Sequence, residues 1–374
     1  GVGTGFDLAL PQLCFGSVAL PYLATTTAAQ TICAPKGLLI EQSSQNLLIQ
    51  SNFASGWSVT AVTLSPNTVT SPDGSADANT ITATAGFSTH QTQSTAFAAT
   101  SGTTYTYSVY LKAGTNRYVQ IPINSTILST NAYANFDLVA GTVTASSGLT
   151  ASIFSVGNGW YRCVTTFTAN ITASAGVFVW LASTATDGFA VSFTAAGTET
   201  VYVYGAQVEA LAFPTSYMPT AAATATRNAE TTSINSASFN SWFLQGRGTF
   251  TVAYDTSFYG NTPAAFTVTS ASGFNITGSG AAQWWNGSTN IFTPNTASVN
   301  TVRKEAFAYA PYSRTLCLNA GTPGQDASYP FSGTVVTMNL GTAYGTAQWI
   351  NGHIRTFSYY STQFNTIQLQ QATT

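Results

Sequence analysis

From Gly37 onward the chain alternates in a way that helices do not. In Thr104–Gly114, TYTYSVYLKAG, Tyr105, Tyr107, Val109 and Leu111 fall on one side. Thr104, Thr106, Ser108 and Tyr110 fall on the other. A period of two, built from β-branched and aromatic residues, predicts a strand with one face inward. GVFVWLAS (176–183) and ETVYVYGAQVEA (199–210) repeat the pattern. Short strands separated by Gly, Asn, Ser and Asp turns predict a sandwich or jelly roll.

A break falls near PTSYMPTAAATATRNAE (214–230), with two prolines and a run of small residues. Strands then resume at 248–255, 264–271, 303–310, 333–340 and 353–360. The expected fold class is all-β: two tandem antiparallel β-sandwiches over 37–220 and 236–374, joined by a linker at 221–235. Residues 1–36 carry Pro11, Pro21, Pro35 and a TTTAA run, and predict an extended arm. Such an arm either stays a tail or docks on a neighbouring subunit.

Helical signal is confined to the end of the chain. Asn365 with Gln368 three residues on forms a Gln version of the capping box, and Ile367 and Leu369 give the turn an apolar surface. The turn is expected to cover a sheet edge, whose unpaired backbone groups invite pairing with other chains.

Composition narrows the function. Charged residues are 6% of the 374, against about 25% in ordinary soluble domains. Ser, Thr, Ala, Asn and Gly take their place. No run approaches the roughly 20 apolar residues of a membrane span. At 13% aromatic the chain has the material for a large core. A net charge of −2 gives no long-range attraction to nucleic acid or an acidic membrane. Cys14, Cys33, Cys163 and Cys317 lack metal-ligand spacing, and a disulfide is open only to the neighbours Cys14 and Cys33. The chain starts at Gly1 without a signal-peptide pattern, as expected of a processed product or a fragment.

The order of landmarks carries a resemblance. GLLIEQSSQNLLIQSNF (37–53), SPDGSADANTIT (71–82), TYSVYLKAG (106–114), FDLVAGTV (136–143), GNGWYRCVTTFTA (157–169) and VYGAQVEALAFPTSYMPT (203–220) follow one another. This series resembles the carbohydrate-binding-module-like jelly roll of tailed-bacteriophage virion proteins, tail fibres and other adsorption proteins among them. The second half, closing on NGHIRTFSYY, resembles the concanavalin/laminin-G-like sandwich that often follows it. Together the likeness covers about 37–374. It departs where SSQNLL replaces the usual Arg before a TNLL-type turn, and in the low charge. The resemblance implies Trp160 in the core, Arg162 bridging strands and a terminal helical turn closing the second sandwich.

Candidate chemistry is sparse. Asp73 and Asp77 are the one close acidic pair. Pro72-Asp73-Gly74 reads as a turn, and the same loop could hold a structural Ca²⁺, which takes loop carboxylates and carbonyls; jelly rolls of this type often carry one. No other cofactor is expected. No catalytic set is expected either: His90 and His353 sit in different halves, His353 reads as an outward strand residue beside Arg355, and two carboxyls on one short turn cannot flank a glycosidic bond. Trp284-Trp285-Asn286 is the expected ligand site, since sugar rings stack on exposed aromatics. Neighbouring strand residues point to opposite faces, so one Trp can be outside. The structural alternative places one in the core and one beneath a loop. Trp160-Tyr161 is a weaker candidate, Trp180 reads as core, and Tyr217 as packing at the domain junction.

The expected function is a structural virion protein on the particle surface, a tail fibre binding host-surface glycan. Its expected partners are other virion proteins and further copies of itself, as a trimer. A head fibre or capsid decoration fits the same two sandwiches. A glycan-degrading enzyme is the alternative from another class, with Asp255, Glu305 and Asp326 as its only second-half carboxylates. A secreted bacterial adhesin is the third.

Overall fold

A computed structural model describes residues 37–374 apart from 54, 235, 261, 269–271, 332–333, 336 and 344–347. The predicted arm, Cys14 and Cys33 lie outside the described residues, and the strand expected over 333–340 is described at Met338–Leu340.

The first sandwich faces two six-stranded antiparallel sheets against each other. One runs in the order Thr142–Ser147, Ala132–Asp137, Tyr118–Ile123, Phe178–Ala182, Gln91–Gln93, Ser58–Thr60. The other runs Thr150–Gly157, Trp160–Thr168, Thr104–Ala113, Thr200–Glu209, Ala78–Ala83, Val62–Val69. The alternation read at Thr104–Gly114 sets which side chains meet between them: Tyr105, Tyr107, Val109 and Leu111 join Val119, Ile121, Phe136 and Val179 in one core. Each such aliphatic or Phe side chain contributes about 1.5–3 kcal/mol by leaving water. Cys163 is buried among them as a free thiol.

The outer face of the second sheet is also covered. Thr106 and Ser108 are fully buried there, although the alternation alone places them outward. The segment after strand Thr200–Glu209 folds back across that face. Gln207 fastens it, taking the Met218 amide at 2.7 Å and donating to the Thr215 and Ser216 carbonyls at 3.3 Å. Glu209 takes the Thr215 amide and hydroxyl and the Ser44 hydroxyl. Buried carboxylates need such donors. This is what the spacing of GAQVE and FPTSYMP accomplishes.

The second sandwich also has two six-stranded antiparallel sheets, as the concanavalin/laminin-G-like resemblance implies. Its core is aromatic: Phe250, Phe266, Phe274, Trp284, Phe307 and Tyr309. Arg303 and Glu305 lie fully buried at one end, 2.9 Å apart, with Tyr254 donating to Glu305 at 2.7 Å and Arg303 donating to the Gly280 carbonyl. Burial pushes the Glu305 carboxyl above the ordinary carboxylate range despite Arg303 beside it. Strand Leu38–Ile40, expected at the start of the first sandwich, pairs with Gly352–Ile354 in the second, Leu38 opposite Ile354. Thr232–Ile234, expected in the linker, pairs with Met338–Leu340.

The terminal helix Thr366–Ala372 has the predicted capping box, with Asn365 accepting from the Gln368 amide and the Gln368 side chain accepting from the Asn365 amide. Its position corrects the expectation. Leu369 buries against Ala306, Ala308 and Cys317, on the outer face of strands Arg303–Ala310 and Ser313–Leu318. The helix covers a sheet face, where alternate alanines leave room for it, and not an edge. Ile367 is exposed. No helix among the described residues is long and apolar enough to cross a membrane.

Candidate functional site

The expected ligand residues do not form a surface site. Trp284 is 0% exposed and stacks on Phe307, with ring centroids 3.9 Å apart and planes 13° off parallel. Its indole N–H donates to the Pro330 carbonyl at 2.9 Å. Trp285, on the opposite face, is half-buried. Asn286 is buried and builds a turn: its Oδ1 accepts the Ser288 and Thr289 amides, and its Nδ2 donates to the Tyr329 carbonyl at 2.7 Å. Its hydrogen-bonding capacity goes to the protein, so Trp284 and Asn286 are structural.

The Asp73 carboxylate accepts from the Ser71 hydroxyl, the Ser75 amide and, at 2.6 Å, the Tyr204 hydroxyl. Partial burial pushes it up, but these donors outweigh it and hold its pKa down at about 2. Asp77 is half-buried, with Oδ1 lacking a hydrogen-bond partner among the described residues. Among the described residues no three or more His, Cys, Asp or Glu side chains gather where they could hold a metal ion.

A cleft of about 800 Å³ lies between the sandwiches. Both halves of the chain build it. The segment 38–46 crosses the junction: Leu38–Ile40 pairs with the second sandwich, and Ser44–Asn46 with Ala225–Arg227. Between them Glu41 accepts from the Ser216 amide and hydroxyl and pairs with Arg227, and the Gln42 amide donates to Asn351 Oδ1 at 2.9 Å.

One wall is the outer face of strands Thr150–Gly157 and Trp160–Thr168, with Phe154, Arg162 and Val164, and Tyr110 from the next strand. Trp160 is buried in an aromatic cluster on this same face, with Tyr110 and Tyr217 packed against it and its N–H on the Thr70 carbonyl. Arg162 does bridge strands, Nη2 donating to Ser108 Oγ at 2.8 Å. Its guanidinium carbon lies 5.3 Å from the Tyr110 ring centroid. Tyr217 lines the cleft, packs edge-on against Tyr110 and meets Ser51 Oγ at 2.6 Å; burial pushes its phenol up to about 12.

The facing wall carries Asp255, His353 and Arg355. Asp255 takes Arg355 Nη2 at 2.8 Å on one oxygen and His353 Nδ1 at 3.0 Å on the other. Burial pushes the Asp255 carboxyl up, but the hydrogen bonds from His353 and Arg355 hold it below its ordinary range, so it stays ionised. His353 is therefore a cleft residue beside Arg355. Of the three carboxylates open to an enzymatic role, Asp255 alone lines the cleft. Glu305 pairs with Arg303 in the core and Asp326 with Arg314. The cleft thus offers aromatic surface and polar edges, with its carboxylates already engaged.

Sequence reasoning missed this site. Tyr110 was visible as an outward strand position, and the resemblance implied Arg162 as a strand bridge, but nothing local marks Asp255 as the partner of a residue near the C-terminus.

No family model and no curated protein matches the chain. Among solved structures it is similar to domains LG4–5 of the mouse laminin α1 chain, at 10% identity and a TM-score of 0.27, over 91% of this chain and 96% of that one. It is similar to a putative carbohydrate binding protein from Bacteroides ovatus, at 10% identity and 0.30, over 76% and 79%. It is also similar to a native heptameric SAP-like pentraxin from Limulus polyphemus, at 12% identity and 0.29, over 34% and 70%. At these scores the likenesses bear on neither ligand nor activity.

Proposed function

We propose that this chain is a glycan-binding structural protein displayed on the surface of a tailed-phage particle, and that the glycan sits in the cleft between its sandwiches. The cleft carries the reading: Tyr110, Phe154 and Tyr217 provide ring surface, and Arg162 and Asn300 provide polar edges around it. Sites of this make-up, concave and mostly apolar with a few convergent polar groups, are where small ligands bind. The virion assignment rests on the run of landmarks from GLLIEQSSQNLLIQSNF to NGHIRTFSYY. A tail-fibre role in host adsorption is the leading form, with a trimer by analogy; head-fibre decoration is the other. The role is binding and not catalysis, since the cleft carboxylates Glu41 and Asp255 are each held in ion pairs.

A glycan array probed with the described chain tests the binding. Retention of bacterial surface polysaccharides, lost in Tyr110→Ala and Phe154→Ala but kept in Trp285→Ala, is the expected result. Binding unaffected by either cleft variant places the glycan elsewhere. Antibody labelling of purified particles under the electron microscope tests the location: label at the tail tip is expected, label over the head selects decoration, and no label removes the virion reading.

A further inference from the structure

Resting on that reading, the geometry points to an acidic saccharide, its sugar carboxylate seated on Arg162. The inference starts from charge pairing. Arg117, Arg227, Arg303, Arg314 and Arg355 each meet a carboxylate within the ion-pair distance. Arg247 has none but is exposed to water. Arg162 is half-buried, and no carboxylate among the described residues pairs with it. Its Nε is buried without an acceptor among the described residues. Its one protein hydrogen bond among those residues goes to a neutral hydroxyl, Ser108.

A half-buried guanidinium without an anion forgoes the charge-assisted hydrogen bonds that offset its lost hydration. The rest of the cleft does not supply them. Glu41 is taken by Arg227 and Ser216, and Asp255 by Arg355 and His353. Over the lining itself Arg162 and Arg355 balance Glu41 and Asp255 in charge, and Arg162 is the one of these four that no opposite charge among the described residues meets directly. The guanidinium is also pre-oriented, since the Tyr110 ring lies against it and Ser108 holds one end. A planar fork held this way fits a carboxylate. Tyr110 and Tyr217 beside it would take the pyranose that carries the carboxylate.

The test is calorimetric titration of the wild-type chain, Arg162→Gln and Arg162→Lys with oligogalacturonate and sialyllactose. Their carboxyl-reduced counterparts, and a sulfated neutral oligosaccharide, serve as comparison ligands. The expected result is that the wild type binds at least one acidic ligand about tenfold or more tighter than its reduced form. Arg162→Gln removes that difference and leaves the weaker binding to the reduced form. Arg162→Lys, which keeps the charge and the fold but not the fork, recovers part of it. Raised salt narrows the preference in the wild type and does nothing in Arg162→Gln. Equal binding of acidic and reduced forms overturns the acidic assignment and leaves glycan binding standing. Full acidic preference in Arg162→Gln overturns the role of Arg162. Preference for the sulfated ligand overturns the carboxylate. No binding of any of these ligands, together with a blank glycan array, overturns both this inference and the proposed function.

Discussion

Asp255 and His353 are 98 residues apart in the chain, and the carboxylate oxygen of one lies 3.0 Å from the ring nitrogen of the other. The contact ties strand Gly352–Tyr360 to the end of strand Gly248–Tyr254 at the mouth of the cleft, with Arg355 on the second oxygen. Asp255→Asn is expected to loosen that wall and lower glycan affinity while the aromatic wall stays intact. Titration with the best array ligand checks this; unchanged affinity would remove the facing wall from the site.

Acid stability follows from two other carboxylates. Asp137 is held at about 2, chiefly by the Arg117 guanidinium, and Asp73 also at about 2. Both lie below the unfolded value of 3.8. A carboxyl with a depressed folded pKa adds stability that is fully present above the unfolded value and is lost as pH falls through the folded one. Urea midpoints are therefore expected to drop as pH falls from about 4 to about 2. The drop should be shallower in Asp137→Asn and Asp73→Asn. An identical slope in both variants would refute the linkage.

The buried pair at the end of the second core makes a sharper case. Arg303→Met leaves Glu305 without its counter-charge at 0% exposure and is expected to cost about 3–5 kcal/mol. Arg303→Met with Glu305→Leu together should recover most of it, because both charges are then gone. Chemical denaturation of the three proteins decides: a single variant near wild-type stability would mean that water reaches the pair.

Trp284 and Trp285 are adjacent, yet their substitution should differ. Trp284→Ala empties the space against Phe307 and Phe274 and is expected to cost about 3–5 kcal/mol. Trp285→Ala, half-buried on the other face, should cost clearly less. Thermal melts of the pair read this directly.

At the C-terminus, Asn365→Ala removes the cap and should cost about 1 kcal/mol. Leu369→Ala should cost about 2–5 kcal/mol, since that side chain is wholly buried on Ala306 and Ala308. If Leu369→Ala proved neutral, the helix would not be docked on the sheet face.

By itself the sequence determined the local elements. Alternation at Thr104–Gly114 named the four side chains that enter the first core. The Asn365–Gln368 spacing named the helix cap. These are consequences of sterics and side-chain direction over a few residues, which any stretch of chain carries with it. Only the tertiary structure decided what lies against each face. Alternation says that Trp284 and Trp285 point oppositely; it does not say which face meets the other sheet. It cannot tell that Leu38–Ile40 pairs with a strand more than three hundred residues away, or that alanines 306 and 308 open a sheet face to the terminal helix. Nor does anything within reach of Arg162 in sequence report that no carboxylate among the described residues meets it after folding. Pairing and burial at such separations depend on how the whole chain closes its surfaces, and the cleft exists only once both sandwiches have done so.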